Sequence, residues 1–197
     1  MYDDKFYSKL TRCIPWQSHV GYEVTNMFKI GSVVDMGCGV AGYLLGCLNA
    51  GANVRGLEYS YDSCRKYIPE PVAKFVSFAD LTTKIQLWKY ELAISCEIGE
   101  HLPEDKSDIY VDNLTNSSNS IMFSAAIPNQ KGENHINCQP QQYWIDKFAK
   151  RGFILDNEKT QLVKNIYRTM PYKSRYINVM HRNVMWFTSS NINKEQV

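Results

Sequence analysis

Residues 33–42 read VVDMGCGVAG, and this stretch decides the fold. The run SVVDM at 32–36 is short and mostly apolar, which predicts a buried strand. A GxGxxG pattern follows it, and residues 40–49 carry apolar side chains at helical spacing. Glycines at such a turn let the backbone bend tightly and approach a ligand closely. The stretch therefore predicts a strand, a glycine turn that meets a ligand, and a helix.

Strands and helices continue to alternate outward from this turn. The sequence predicts helices at 15–30, 61–68, 105–116 and 140–151. It predicts further strands at 53–58, 73–78, 91–96 and 120–126, and two antiparallel strands near 152–155 and 176–187. Residues 189–197 are polar and are expected to fray. Because alternating strands and helices form parallel sheets with right-handed crossovers, we predict an α/β fold. We expect a Rossmann-like, mostly parallel seven-stranded sheet flanked by helices, with antiparallel C-terminal strands.

The composition is that of an ordinary globular protein and argues against several classes. Hydrophobic residues make up 44% and charged residues 21%, with a formal net charge of +2, which is too weak to indicate a nucleic-acid partner. The chain shows neither an apolar signal segment nor the run of about 18 apolar residues that a membrane span needs. The six cysteines have no short metal-ligand spacing. We therefore expect a reduced, soluble, cytoplasmic protein with no membrane contact and no metal.

The charges around the turn distinguish between two adenosine cofactors. Glu58, at the end of the second predicted strand, can accept hydrogen bonds from ribose hydroxyls in either case. A nicotinamide dinucleotide would place its pyrophosphate at the turn, where the carboxylate of Asp35 would repel it by on the order of 4 kcal/mol. S-adenosylmethionine carries an ammonium and a sulfonium instead. We therefore predict S-adenosylmethionine as the cofactor, with the dinucleotide and a helix-capping role for Asp35 as alternatives.

Four motifs in order resemble those of class I S-adenosylmethionine-dependent methyltransferases. VVDMGCGVAG resembles their first motif, GLEYS their second, SFADL their third, and AISCEIGEHLP the loop after their fourth strand. The resemblance covers residues 30–155, with the first motif the most specific. It implies a set of cofactor-binding residues: Asp35, Gly37, Cys38, Gly39, Gly42, Glu58, Tyr59, Asp80, Leu81 and Glu97. Within that set, Glu58 takes the ribose place and Asp80 the adenine amino place. Glu97, the first residue after the fourth strand, could line the methionine end or could be a loop carboxylate bonded to backbone amides.

A later stretch resembles a subset of these enzymes. Residues 123–144 read FSAAIPNQKGENHINCQPQQYW, which is similar to a segment in proteins that act on small molecules and sugars. That subset usually carries an acidic residue where Cys138 stands. The resemblance implies a small-molecule acceptor, such as a sugar or nucleotide-sugar hydroxyl. We expect one domain over 1–197, made of an N-terminal helical segment (1–30), a cofactor-binding half (31–126), and a substrate-side loop with C-terminal strands (127–197).

Two histidines are candidate general bases. Methyl transfer to a hydroxyl is helped by a base, and histidine suits that work near neutral pH. His101 follows the fourth predicted strand and His135 the fifth, so both lie at the carboxyl edge where the methyl group is expected. The alternative for either is a loop histidine that orders its own backbone, and for His101 a cap on the next helix. The amides of Gln130, Asn137 and Gln139 could hold hydroxyls of the acceptor or tie down the loop.

Three other functions remain open. Enzymes that methylate exocyclic base amines usually carry an Asp/Asn-Pro-Pro-aromatic motif after the fourth strand, whereas residues 95–98 read SCEI. A nucleic-acid methyltransferase is therefore the second hypothesis. The third is a methyltransferase-like protein that binds the cofactor without transferring a methyl group, and the fourth is a nicotinamide-dependent oxidoreductase. The oligomeric state is left open.

Overall fold

A computed structural model describes residues 2–190 of the chain, and its centre is one sheet of seven strands. The strands are β1 (Ser32–Met36), β2 (Asn53–Glu58), β3 (Val76–Phe78), β4 (Leu92–Cys96), β5 (Ser120–Ser124), β6 (Phe153–Leu155) and β7 (Met185–Ser189). Their order across the sheet is β3-β2-β1-β4-β5-β7-β6. Strands β1 to β5 pair in parallel, and β7 pairs antiparallel with both β5 and β6. The predicted α/β fold is confirmed.

Nine α-helices flank the sheet within residues 2–190. They are α1 (Asp4–Leu10), α2 (Ile14–Phe28), α3 (Gly42–Asn49), α4 (Tyr61–Cys64), α5 (Glu70–Ala73), α6 (Ser107–Ser117), α7 (Gln141–Ala149), α8 (Asn157–Thr169) and α9 (Arg175–Asn183). One face of the sheet is covered by buried side chains from α1 to α5, α8 and α9, and the other by α6 and α7. Both faces of the parallel strands are therefore buried, as their nearly continuous apolar runs require.

The strand predicted at 176–187 is wrong over most of its length. Residues 175–183 form the helix α9, and only the following Met185–Ser189 is strand. The helix buries Ile177 and Met180, three residues apart, on one face, whereas β7 buries Met185 and Trp186 on opposite faces of the sheet. The side chain of Ser174 accepts a hydrogen bond from the Tyr176 amide at 3.2 Å and so caps α9.

Smaller corrections concern element ends. The strand predicted at 73–78 is confined to Val76–Phe78, because Pro71 sits in the first turn of the short helix α5 just before it. Helix α8 was not predicted, although Asp156 caps it by accepting from the Lys159 amide at 3.0 Å. The expected fraying from residue 189 is wrong for Ser189, which lies in β7, and residues 191–197 lie outside the described part of the chain.

The sheet topology collects the motifs at one place. In a parallel sheet the carboxyl ends of neighbouring strands share an edge, and ligands bind beyond that edge. The glycine turn follows β1, Glu58 ends β2, and Glu97 follows β4, so all three lie at this edge. The expected division of the chain at residues 30 and 126 stays a prediction. Among the described helices, none has the length and apolar character needed to cross a membrane.

Candidate functional site

The glycine turn after β1 has the backbone conformation that its sequence requires. Gly37 and Gly39 have φ values of +82° and +54°, in the left-handed region that residues other than glycine rarely adopt. A Cβ at Gly37 would also overlap the side chain of Ile98. The amides of Gly37 and Cys38 both donate to the Leu57 carbonyl, at 2.8 and 3.1 Å, which fixes the turn to the end of β2.

Asp35 is a buried carboxylate at the centre of the sheet. Its strand neighbours are Gly56 on β2 and Ile94 on β4. Its Oδ2 atom has no hydrogen-bond partner among the described residues. Burial, with a smaller contribution from the charge of Glu58, raises the pKa of Asp35 to about 8. Helix α3 is capped at Ala41 without a side-chain bond, so the helix-capping alternative for Asp35 is wrong.

Glu58 lies at the end of β2 and is only 8% exposed. Its Oε2 accepts from the Gly39 amide at 2.9 Å, which links it to the glycine turn. Its Oε1 accepts from the Ser60 amide at 2.9 Å and from the Tyr7 hydroxyl at 3.0 Å. Burial, and then the charge of Glu58, raises the pKa of Tyr7. A side chain from α1 therefore occupies the place predicted for a ribose hydroxyl.

The N-terminal segment of residues 2–10 lies across this edge of the sheet. The rings of Tyr2 and Phe6 stack with centroids 4.0 Å apart. The Cδ2 atom of Leu10 is 3.0 Å from the point where a Cβ on Gly39 would stand. The Tyr2 hydroxyl lies 2.7 Å from Nδ1 of His101. Sequence reasoning missed these contacts, because nothing in a short amphipathic segment says which distant residues it will cover.

The predicted adenine-side residues lie together beyond β2 and β3. The rings of Tyr59 and Phe78 are exposed, with centroids 5.7 Å apart. Asp80 uses Oδ1 to accept from the amide and the hydroxyl of Thr82, at 2.9 and 2.6 Å. The Leu81 carbonyl accepts from the Asn113 amide group on α6 at 3.2 Å. The loop that carries Asp80 and Leu81 is thus held in place from both sides.

Glu97, the residue after β4, is bound on both carboxylate oxygens. It adopts a φ of 57°, which is unusual for a residue other than glycine and marks functional sites more often than ordinary loops. Its Oε2 accepts from Gln130 at 2.8 Å and its Oε1 from Asn183 at 3.2 Å. Gln130 Oε1 accepts in turn from Asn183 and Arg182, both at 2.8 Å. Sequence reasoning missed Asn183 and Arg182, because it placed them on a strand.

The two candidate bases lie side by side. The rings of His101 and His135 have centroids 5.0 Å apart. Each Nδ1 atom contacts a loop carbonyl, at 3.2 Å to Asn134 for His101 and at 3.0 Å to Gln130 for His135. Burial lowers the pKa of His101 to about 4, so its ring is neutral at pH 7. These contacts agree with the alternative that the histidines order their own loop. The other alternative for His101, a cap on the next helix, is wrong for α6, because the N-cap residue of α6 is Lys106.

Glu100 joins the histidine pair and was not predicted as a site residue. Its backbone carbonyl accepts from the amides of Ile136 and Asn137, at 2.9 and 3.0 Å. Its side chain is fully buried, and neither carboxylate oxygen has a hydrogen-bond partner among the described residues. Burial, and then the nearby charge of Glu97, raises the pKa of Glu100 well above its ordinary value. Asn137 donates to Gly99 and Ser107, which supports the loop-tying alternative for that amide.

Two shallow grooves lie away from these residues. One is lined mainly by the α8–α9 connection, and the other lies between α2 and the end of α8. Neither groove includes a predicted site residue. The chemistry of the strand ends, rather than the shape of the surface, therefore locates the candidate site.

No protein-family model and no curated protein sequence matches this chain. The structure is similar to magnesium protoporphyrin IX methyltransferase (ChlM) from Synechocystis PCC 6803, with a TM-score of 0.65 and 15% identity over 96% of this chain and 89% of that one. An O-methyltransferase family protein from Burkholderia thailandensis also has a TM-score of 0.65, at 12% identity, over 94% of this chain and 58% of that one. The small RNA methyltransferase HEN1 has a TM-score of 0.58 at 13% identity, over 86% of this chain and 24% of that one. At such identities the likeness shows the fold, which is that of class I S-adenosylmethionine-dependent methyltransferases.

Proposed function

We propose that this protein is a methyltransferase that binds S-adenosylmethionine and methylates a hydroxyl of a small molecule. The observation that carries the proposal is the buried carboxyl group of Asp35 just before the glycine turn, whose Oδ2 has no hydrogen-bond partner in the described part of the chain. A buried carboxylate costs folding free energy unless a cation or a proton balances it. S-adenosylmethionine brings two positive charges to this turn, whereas a dinucleotide brings a diphosphate.

The other predicted residues fit the remaining parts of the same cofactor. The ribose hydroxyls would bind Glu58 in place of the Tyr7 hydroxyl, so α1 shifts when the cofactor binds. The adenine would lie beside the exposed rings of Tyr59 and Phe78, with Asp80 and the Leu81 backbone at its edge. Glu97 would face the methionine end from the far side of the glycine turn.

The methyl transfer needs no covalent bond between the substrate and the protein. The acceptor oxygen attacks the methyl carbon in line, a C–O bond forms, the C–S bond breaks, and the sulfur keeps the electron pair as a neutral thioether. The hydroxyl proton would pass to an imidazole Nε2 of the histidine pair, since each Nδ1 already contacts a carbonyl. Alignment and exclusion of water supply the rest of the rate. A sugar or nucleotide-sugar acceptor rests on the resemblance of residues 123–144, and a cytoplasmic location stays a prediction.

Calorimetry tests the cofactor and a methyl-release assay tests the transfer. We expect S-adenosylhomocysteine to bind one per chain and NADH not to bind at the same concentrations. Labelled S-adenosylmethionine is then offered with a panel of hydroxylated small molecules and, separately, with short RNA. Binding without release from any acceptor would favour the non-catalytic alternative, and NADH binding would favour the oxidoreductase.

Methylation of RNA is the second candidate function, and the likeness to the small RNA methyltransferase HEN1 favours it. The formal net charge of +2 speaks against it, because backbone phosphates are usually met by a concentrated basic face. Methyl transfer to RNA that weakens steeply as salt rises would establish this candidate in place of the first.

A further inference from the structure

Three potential metal ligands converge beside the cofactor site. Glu100, His101 and His135 each offer one donor atom, and these atoms lie within 4.8 Å of one another. Within this group, His135 Nε2 and Glu100 Oε1 are 3.9 Å apart. With ligand bonds of about 2.0–2.2 Å, two ligands of one ion stand up to about 4 Å apart, so small rotations of these side chains suffice.

The two histidines are already oriented as metal ligands are. A ligating histidine almost always donates its other ring N–H to a carbonyl or carboxylate, which fixes the tautomer. Here Nδ1 of His135 contacts the Gln130 carbonyl, and Nδ1 of His101 contacts the Asn134 carbonyl and the Tyr2 hydroxyl, which itself donates to the Glu133 carbonyl. A proton on each Nδ1 leaves the Nε2 lone pairs available. The His101–Asn134 contact joins the turn after β4 to the loop after β5, and the two rings lie with centroids 5.0 Å apart.

Glu100 supplies a second and independent observation. Its carboxylate is completely buried, and within residues 2–190 neither oxygen has a hydrogen-bond partner, although the amides of Glu100 and Ala126 lie nearby. No lysine or arginine pairs with it among the ion pairs of the described residues. A buried carboxylate without a partner is costly, and a divalent cation bound by neutral imidazoles would balance it.

We propose that Glu100, His101 and His135 bind one divalent transition-metal ion at the acceptor side of the cofactor site. Imidazole and carboxylate donors suit Zn²⁺, Mn²⁺, Fe²⁺ and Co²⁺, and a set of two histidines and one carboxylate leaves positions open for a substrate. The expectation of no metal rested on the cysteine spacing, whereas this set joins two adjacent residues to a third in another loop.

The ion gives the proposed methyl transfer a specific acceptor chemistry, and this step rests on the proposed function. An acceptor hydroxyl bound to the ion loses its proton more readily, as metal-bound water does. The proton then passes to solvent water, and His135 serves as a ligand rather than as the base. Acceptors with two neighbouring oxygens would be favoured, because both oxygens can occupy the open positions.

The full chain is first treated with a chelator and dialysed to remove bound metal. Calorimetric titration with Mn²⁺, and separately with Co²⁺, then tests the site. We expect one ion per chain, and a loss of affinity of at least about tenfold in both Glu100→Gln and His135→Gln. His181→Gln is the matched control for a histidine outside the cluster, and Cys138→Ser excludes the thiol that lies 3.6 Å from His135 Nδ1. Both control variants should bind the ion as the wild type does.

Binding of S-adenosylhomocysteine is measured on the same samples, so that the two proposals fail separately. An ion that binds one per chain without any S-adenosylhomocysteine binding would remove the proposed function and leave the metal site. Normal S-adenosylhomocysteine binding with no ion binding by the wild type, or with ion binding unchanged in Glu100→Gln, would overturn the metal site.

Discussion

The carboxylate of Asp35 is the residue on which the cofactor assignment depends. The sequence places a carboxyl group before the glycine turn, and the structure adds that this group is buried and that its Oδ2 has no hydrogen-bond partner among the described residues. Burial could not be seen in the sequence, but the sign of the charge could. In the free protein at pH 7 burial keeps Asp35 mostly protonated; the cations of S-adenosylmethionine would favour its ionised form, whereas a diphosphate would hold it neutral.

Binding of the cofactor should release a proton from Asp35. Its pKa is raised to about 8, so the free protein holds the proton at pH 7, and a bound cation lowers that pKa again. We expect S-adenosylhomocysteine affinity to rise with pH from 6 to 8. Calorimetry in two buffers of different ionisation enthalpy measures the released proton. In Asp35→Asn the affinity should fall by about 1–3 kcal/mol and the proton release should disappear. Unchanged proton release in this variant would assign the proton to another group.

His135 should matter for turnover and not for the cofactor. It faces His101 and Glu100 rather than the glycine turn. Whether His135 takes the hydroxyl proton or holds an ion, we expect His135→Ala to lower the rate of methyl transfer by about 10²–10⁴-fold. S-adenosylhomocysteine affinity, measured by calorimetry, should stay within about twofold. A variant with normal turnover would remove His135 from the proposed chemistry.

At the scale of elements, the sequence predicted best where local signals agree. Strands β1 and β2 were predicted to the residue, because apolar runs are bounded there by glycines and by turns. Helix α9 was mistaken for a strand because Ile177 and Val179 alternate with polar residues, and the capping role of Ser174 was overlooked. Because of this error, the contact between Asn183 and Glu97 was not predicted, since Asn183 lies at the end of α9 and donates to Glu97.

Helix α1 should act as a competitor for the cofactor site. The Tyr7 hydroxyl bonds to Glu58, 51 positions away, at the place proposed for the ribose. Without this hydroxyl, the cofactor would bind Glu58 without first breaking the Tyr7–Glu58 hydrogen bond. We therefore expect Tyr7→Phe to tighten S-adenosylhomocysteine binding by about 1 kcal/mol, which is about fivefold. Calorimetry measures the effect, and Tyr22→Phe on the exposed face of α2 is the matched control. Weaker binding in Tyr7→Phe would mean that the hydroxyl stays in place and supports the bound cofactor.

Across the whole molecule, unbalanced buried acids should make stability depend on pH in an unusual direction. Asp35 has a raised pKa in the folded state, so between the ordinary value of 3.8 and about 8 the folded state holds more protons than the unfolded state. The free energy of unfolding therefore falls as pH rises through this window and levels off above it. Glu100 acts in the same direction.

Urea unfolding at several pH values checks this expectation on the ligand-free protein. We expect the wild type to lose a few kcal/mol between pH 5 and pH 8, because each pKa unit corresponds to about 1.4 kcal/mol. Asp35→Asn should remove part of this slope and be the more stable protein at pH 8. An identical slope in both proteins would mean that Asp35 keeps its charge through a partner that forms in solution.

On the proposed function, the buried carboxyl group of Asp35 would also tie the lifetime of the chain to its metabolite supply. A ligand that binds only the native state shifts the unfolding equilibrium by RT ln(1 + [L]/Kd), and here the bound cation would also stabilise the ionised form of Asp35. A newly made chain would persist where the methyl donor is plentiful. Where the donor runs short, the empty chain would open more often and be removed by proteases, so abundance would follow nutrition without any dedicated regulator.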